Sequence, residues 1–253
     1  MCRYLLEVCV DSVESALAAV EGGADRLELC GDLTVGGTTP SLALFQEIRR
    51  HTNIPTHILI RPRCGDFCYS PYEFAVMEEE IRAFAKAGAE GVVIGVLRPD
   101  GYLDMERMAQ LMKAAGTMSV TLHRAFDVCA DPFRTLEQAV ELGIDTILTS
   151  GQQNSCIQGI QLLKGLHRKA DGRIHIMAGA GVTAQMIPEL ADQTGICTYH
   201  MSGKKAVDSA MVYRKESVSM GSAAVDEYCI WRCDAEEVRN ARKTLDMLNQ
   251  AVR

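Results

Sequence analysis

Along the chain, short apolar runs alternate with longer stretches in which apolar side chains recur about every three to four positions, the lengths of buried strands and the period of amphipathic helices. The first unit sets the pattern. Residues 5–10, LLEVCV, read as a strand. Asp11 as N-cap, with Glu14 after it, opens a helix whose Val13, Ala16, Leu17 and Val20 share a face and which stops at Gly22 and Gly23. Strand 26–30 precedes a loop with Gly36, Gly37 and Pro40, then a helix carrying Leu44, Phe45 and Ile48. Strand 57–63 precedes Ser70, Pro71 and Glu73, a capping box with proline at the first helical position, and Phe74, Met77, Ile81 and Phe84 form the buried stripe. Strands 91–97, 119–125, 146–150 and 174–179 lead to helices beginning near Asp104, beginning at Asp131 and Pro132, spanning 156–169, and beginning at Thr183. Strand 198–202 is followed by a long loop, 203–233, and a last helix from Asp234.

A helical crossover returns the chain to the same end of a sheet, so strands separated by helices run parallel. Eight such units predict an α/β fold, a (β/α)8 TIM-like barrel that occupies residues 1–253 as a single domain. An open doubly wound sheet is the alternative reading.

Composition narrows the partners. Apolar residues make up 47% and charged residues 23%, spread along the whole length, which predicts a packed core. Uncharged apolar runs such as GVVIGVL at 91–97 fall short of the roughly 20 residues a membrane span needs. The opening MCRYLLEVCVDSVE carries Glu7 and Asp11 and has no extended apolar segment, unlike a secretory signal, so a cytoplasmic location is expected. Ten cysteines in a chain this long, several inside apolar strands, read as reduced thiols. A net charge of −7 leaves no basic footprint for nucleic acid, which points to a small solute.

Barrels of this type carry their sites at the C-terminal ends of the strands. Strand alternation turns Leu6, Val8 and Val10 outward and Glu7 and Cys9 inward; it repeats with Leu27 and Leu29 out, Glu28 and Cys30 in. In the third strand Ile58 and Ile60 face out, leaving Leu59, Arg61 and Arg63 for the interior. Glu7 and Glu28 are thus expected to meet Arg61, either as a structural charge network or as catalytic groups. Cys9 and Cys30 lie further toward the mouth. Two thiols there suit a soft ion such as Cu(I), and buried cysteine as core filler is the other reading.

Other strand ends are polar too. HRAFD supplies His123, Arg124 and Asp127, and LTSG supplies Thr149 and Ser150. MAGAGV supplies Gly179 and Gly181, and YHMSGKK supplies His200, Ser202, Lys204 and Lys205. The loops after strands seven and eight are where such barrels usually cradle phosphate. The pairs Cys64 with Cys68 and Cys229 with Cys233 lack zinc-ribbon spacing. The loop 203–233, with Met211, Tyr213, Arg214, Met220 and Tyr228, is expected to fold over the mouth or to make a subunit contact.

Taken together and in order, LEVCVDSVESA, GADRLELC, GGTTPS, IRPRCGDFCYS, HRAFD, LTSG and MAGAGV resemble the CutC copper-homeostasis family. The resemblance implies a cytoplasmic TIM-like barrel, often a homo-oligomer, associated with copper tolerance and Cu(I) binding, and it brings no established reaction. Cysteines proposed as copper ligands in a similar animal member correspond to Cys9 and Cys30. The RPR-x-GDF motif carries over as Arg61, Pro62, Arg63, Gly65, Asp66 and Phe67, with Cys64 where relatives commonly carry glycine.

Two functions are therefore expected in competition. One is copper handling through Cys9 and Cys30. The other is an enzyme acting on a small anionic or phosphorylated metabolite, with Glu7, Glu28, Arg61, Asp66, His123 and Asp127 as catalytic candidates. Arg63, Arg124, Ser150, Gly179, Gly181, His200, Ser202 and Lys204 are its substrate-binding candidates.

Overall fold

The β-branched and leucine-rich faces of the eight strands demand cover, and the amphipathic helices between them supply it. In a computed structural model, which describes residues 4–215, 218, 220 and 226–251, β1 (Leu5–Val10), β2 (Arg26–Leu29), β3 (Thr56–Leu59), β4 (Gly91–Ile94), β5 (Ser119–Leu122), β6 (Thr146–Thr149), β7 (His175–Ala178) and β8 (Thr198–Met201) form a closed barrel in chain order. All neighbours are parallel, and β8 closes on β1. Val8, Leu27, Ile58, Val92, Leu122, Ile147, Ile176 and Tyr199 point outward and are buried beneath the helices.

Those helices are α1 (Val13–Gly22), α2 (Leu42–His51), α3 (Pro71–Ala87), α4 (Met105–Ala115), α5 (Pro132–Glu141), α6 (Ile160–Ala170), α7 (Ile187–Thr194) and α8 (Ala235–Ala251). The Ser70–Glu73 capping box with Pro71 opens α3 as the sequence predicts, and Asp131 with Pro132 opens α5. Among the described residues no helix is long and apolar enough to cross a membrane.

Several boundaries differ from expectation for local reasons. Ser12, not Asp11, caps α1, accepting the Ser15 N–H; the Asp11 carboxylate instead faces the Leu33 N–H. β3 stops at Leu59 because the Arg61 N–H turns to the Thr39 hydroxyl and its carbonyl accepts the Thr39 N–H, which draws the chain toward the loop after β2. HRAFD forms a short 3₁₀ turn, with the His123 ring accepting the Ala125 N–H. α6 begins at Ile160 rather than 156, after a loop with positive φ at Gly151 and Gln152. α7 begins at Ile187 rather than Thr183; Pro188, which has no N–H, fits only in a first helical turn. Inside 203–233 lies an antiparallel ribbon, β9 (Lys204–Asp208) with β10 (Cys229–Cys233), anchored to α1 where the Cys233 N–H donates to Ser15 Oγ. Part of that loop lies outside the described residues.

Space inside the barrel is made by glycine. His57 stands beside Gly91 in the β3–β4 register, and a Cβ at Gly91 would lie 2.5 Å from the imidazole. Gly91→Ala is therefore expected to cost about 1–3 kcal/mol of unfolding free energy by overpacking. In urea denaturation the His57→Ala, Gly91→Ala pair should cost clearly less than the sum of the singles, because the clash requires both side chains.

Candidate functional site

Among the described residues Glu7 is the most completely buried acid inside the barrel, with no solvent exposure. Its register neighbours are Arg26 on β2 and His200 on β8. Arg26 Nε donates to Glu7 Oε2 at 2.6 Å, and His200 Nδ1 lies 2.8 Å from Oε1. Burial alone would raise the Glu7 carboxyl, but the Arg26 guanidinium and then His200 outweigh it and hold Glu7 well below the usual carboxylate range. The expected meeting of Glu7 and Glu28 with Arg61 thus does not form. Arg26 was missed because it opens its strand, although alternation puts it on the same face as Glu28 and Cys30.

One layer higher, β1 and β2 bring Cys9 beside Glu28. The Cys9 sulfur, a Glu28 oxygen and a His200 ring nitrogen all lie within 4.8 Å of one another. His200 Nε2 stands 3.7 Å from Glu28 Oε2, and the Cys30 thiol donates to the same oxygen at 3.5 Å. Burial pulls His200 down, yet Cys9, Glu28 and the bond to Glu7 push it well above the usual histidine value. Burial raises the Glu28 carboxyl, with His200 opposing. Burial, and then the Glu28 carboxylate, push the Cys30 thiol well above its usual range.

Above this cluster opens a cavity of about 440 Å³ at the C-terminal mouth. Of the sequence candidates, Cys9, Glu28, Cys30, His200 and Ser202 line it on one side, and Arg61, His123, Arg124, Asp127 and Lys204 complete the wall. A second cavity of about 150 Å³ lies beneath the β9–β10 ribbon between Ser15, Trp231 and Cys233, and Cys9 lines both.

The other candidates sit elsewhere. Arg63 ties Asp66 and Glu73 together near the start of α3, with Arg63 Nε 2.6 Å from Glu73. Ser150 is buried and bonds to Asp127, whose carboxylate also accepts from the Thr149 hydroxyl, the Gln152 N–H and Arg124 Nε. Asp127 lines the cavity with its acceptors already engaged. Gly179 packs on Leu148, Gly181 borders open space, and neither lines the cavity. Cys64 is exposed and lies outside the cavity lining.

Sequence reading also missed His57, which sits inside the barrel between Glu28 and Gly91 in register; only its place in the alternation of β3 marks it. Burial, and then Arg26, bring His57 down to about 4; burial, and then Arg61, bring His123 down to about 3.

A closed parallel barrel of eight strands, each followed by a helix, defines the class as a TIM barrel, and its thiol–imidazole–carboxylate cluster lies at the C-terminal mouth, where such barrels carry their sites. The chain belongs to the CutC family, whose model matches residues 4–205. A CutC family protein of Bacteroides thetaiotaomicron is 49% identical over 90% of this chain and 92% of its own length. The copper homeostasis protein cutC homolog of Homo sapiens is 44% identical over 93% of this chain and 87% of its own. The crystal structure of CutC from Streptococcus agalactiae is 33% identical, with a TM-score of 0.75 over 79% of this chain and 98% of that one. Thiamine phosphate pyrophosphorylase from Pyrococcus furiosus, 14% identical with a TM-score of 0.57 over 97% of each chain, shares the fold.

Two outcomes test these assignments. Arg26→Met should lower stability by about 3–5 kcal/mol in chemical denaturation, since it leaves the buried Glu7 charge without its guanidinium. Between pH 6.5 and about 4 the unfolded chain binds protons that folded His57 refuses, so His57 favours the folded state above pH 6.5 and loses that contribution as the pH falls. His57→Gln should flatten the stability profile in that window by up to about 1.4 kcal/mol per pH unit relative to the parent chain.

Proposed function

We propose that this protein handles copper by binding Cu(I) at the floor of the barrel mouth, through Cys9 with His200 and with Cys30 as the second thiolate. The observation that carries this reading is the convergence of the Cys9 sulfur, a His200 nitrogen and a Glu28 oxygen within 4.8 Å. Ligands about 2.0–2.3 Å from one ion stand at most about 4.5 Å apart, so the widest pair needs to close by only a few tenths of an ångström. Cu(I) prefers thiolate and imidazole to carboxylate. That favours Cys30, whose thiol contacts Glu28 from outside the 4.8 Å group and would move in as the glutamate withdraws. Glu7, 2.8 Å from His200 Nδ1, orients the ring so that Nε2 faces the cluster, the usual supporting role of a carboxylate behind a metal-binding histidine. The names of relatives such as the human homolog agree with this chemistry.

A second reading is favoured by the cavity itself: about 440 Å³ lies within the range of small-molecule sites and far exceeds what an ion requires. In it the chain is an enzyme acting on a small anionic metabolite, with Glu28 and His200, 3.7 Å apart, moving a proton between them and the substrate. Both readings include a cytoplasmic homo-oligomer. Exposed apolar Val207, Ile230 and Trp231 on the ribbon support self-association.

Anaerobic Cu(I) titration against a competing chelator decides the first reading. Tight binding is expected for the parent chain, a loss of it in the Cys9→Ser, Cys30→Ser double variant, and affinity about 10–100-fold weaker in Glu7→Gln. Unchanged affinity in the double variant would remove the ligand assignment.

A further inference from the structure

Most cations on this chain have a carboxylate close by; Arg61 does not. Its side chain is buried, yet among the described residues no carboxylate lies within ion-pair distance. It is also fixed. Nη1 donates to the carbonyls of Val35, Gly36 and Gly37, Nη2 donates to that of Gly65 at 2.9 Å, and the Phe67 ring lies 5.2 Å from the guanidinium carbon. Nη2 has a second hydrogen, and the buried Nε–H has no acceptor among the described residues. Those two N–H groups sit on adjacent nitrogens, the arrangement that two oxygens of a carboxylate or phosphate bridge.

His123 packs against the same aromatic ring, with centroids 4.8 Å apart. Its Nδ1 accepts the Ala125 N–H, so in the neutral ring Nε2 carries the proton, and that buried donor also has no acceptor. Burial and Arg61 keep the ring neutral at physiological pH. Across the cavity Lys204 rests over the Trp231 ring at 4.9 Å and likewise has no carboxylate partner among the described residues. The two carboxylates on the wall are engaged, Asp127 by Arg124 and Glu28 by His200. In a protein of net charge −7, this cavity is lined by two cations without counter-charges among the described residues. A concave, low-dielectric site of that kind concentrates anions.

We infer that the mouth cavity contains an oxyanion subsite, built on Arg61 and His123 and faced by Lys204, that takes the carboxylate or phosphate group of a small metabolite and leaves the rest of that molecule over Cys9, Glu28 and His200. The subsite deepens the second functional reading and rests on it for the idea of a small anionic ligand. Of the phosphate cradle expected after β7 and β8 it keeps Lys204, whereas Gly179 and Gly181 lie outside the cavity wall.

The test is thermal melting and calorimetric titration of the full chain, kept metal-free with a chelator, using inorganic phosphate and succinate as probes and sodium chloride at matched ionic strength as reference. At least one probe should raise the melting temperature saturably, because a ligand bound only by the folded state stabilises it. Lys204→Gln, at an exposed position, should weaken binding by about tenfold, the loss of one exposed charge contact. Arg61→Gln should abolish binding; if losing its four carbonyl contacts prevents folding, Lys204→Gln carries the test alone. Glu28→Gln should bind at least as tightly. Stabilisation by phosphate alone identifies a phosphate ester, and by succinate alone a carboxylate; either supports the subsite. No saturable shift with either probe overturns both the subsite and the small-anion reading. Binding that is lost in Glu28→Gln but unchanged in Lys204→Gln overturns the subsite and leaves the small-anion reading standing.

Discussion

A carboxylate with no solvent exposure inside a barrel is the constraint from which the rest of this structure follows. Glu7 is tolerable there only because Arg26 and His200, one on each neighbouring strand, approach it on both sides. The pairing links β1, β2 and β8, and so spans the seam at which the barrel closes. It also fixes the upper layer. Once His200 Nδ1 is committed to Glu7, the other ring nitrogen must face Cys9 and Glu28, so the chemistry of the mouth is set by a bond beneath it.

The charges in the mouth fall into two groups. Those of Glu28 on β2 and His200 on β8 compensate each other within a few ångströms and, with Cys9 of β1, form a compact cluster of thiol, imidazole and carboxylate. On the β3 side Arg61 is held by backbone carbonyls and the Phe67 ring, which orient a guanidinium without neutralising it. Asp127 is the contrasting case. Its carboxylate joins the 3₁₀ turn after β5 to the loop after β6, and its bonding capacity is spent on that task. The two halves share one cavity, so a ligand held by the cationic side would extend over the thiol cluster.

Much of this was legible in the residues. The alternation that puts Leu6 and Val8 out and Glu7 and Cys9 in is a property of the extended chain, and the register preserves it. Prolines with the Ser70–Glu73 capping box and the Asp131 N-cap place α3 and α5 correctly, because those starts depend on neighbours in sequence. Strand ends were less legible. β3 stops where Arg61 bonds to Thr39, a partner from another loop that no local pattern reveals. Which arginine meets Glu7 was misjudged for a similar reason: both Arg26 and Arg61 face inward, and only barrel stagger decides that Arg26 is level with Glu7. The RPR-x-GDF motif shows the same limit: Arg63 and Asp66 are committed to the start of α3, and of its charged residues Arg61 alone reaches the cavity.

The grip of Arg61 on residues 35–37 and 65 has a mechanical side. Two loops that arrive from different strands share one knot, and neither can swing away from the axis without undoing bonds to the other. On that flank the entrance behaves as masonry. The β9–β10 ribbon takes its hold from helices instead: the Cys233–Ser15 bond ties it to α1, and Lys205 ties it to Asp234 at the head of α8.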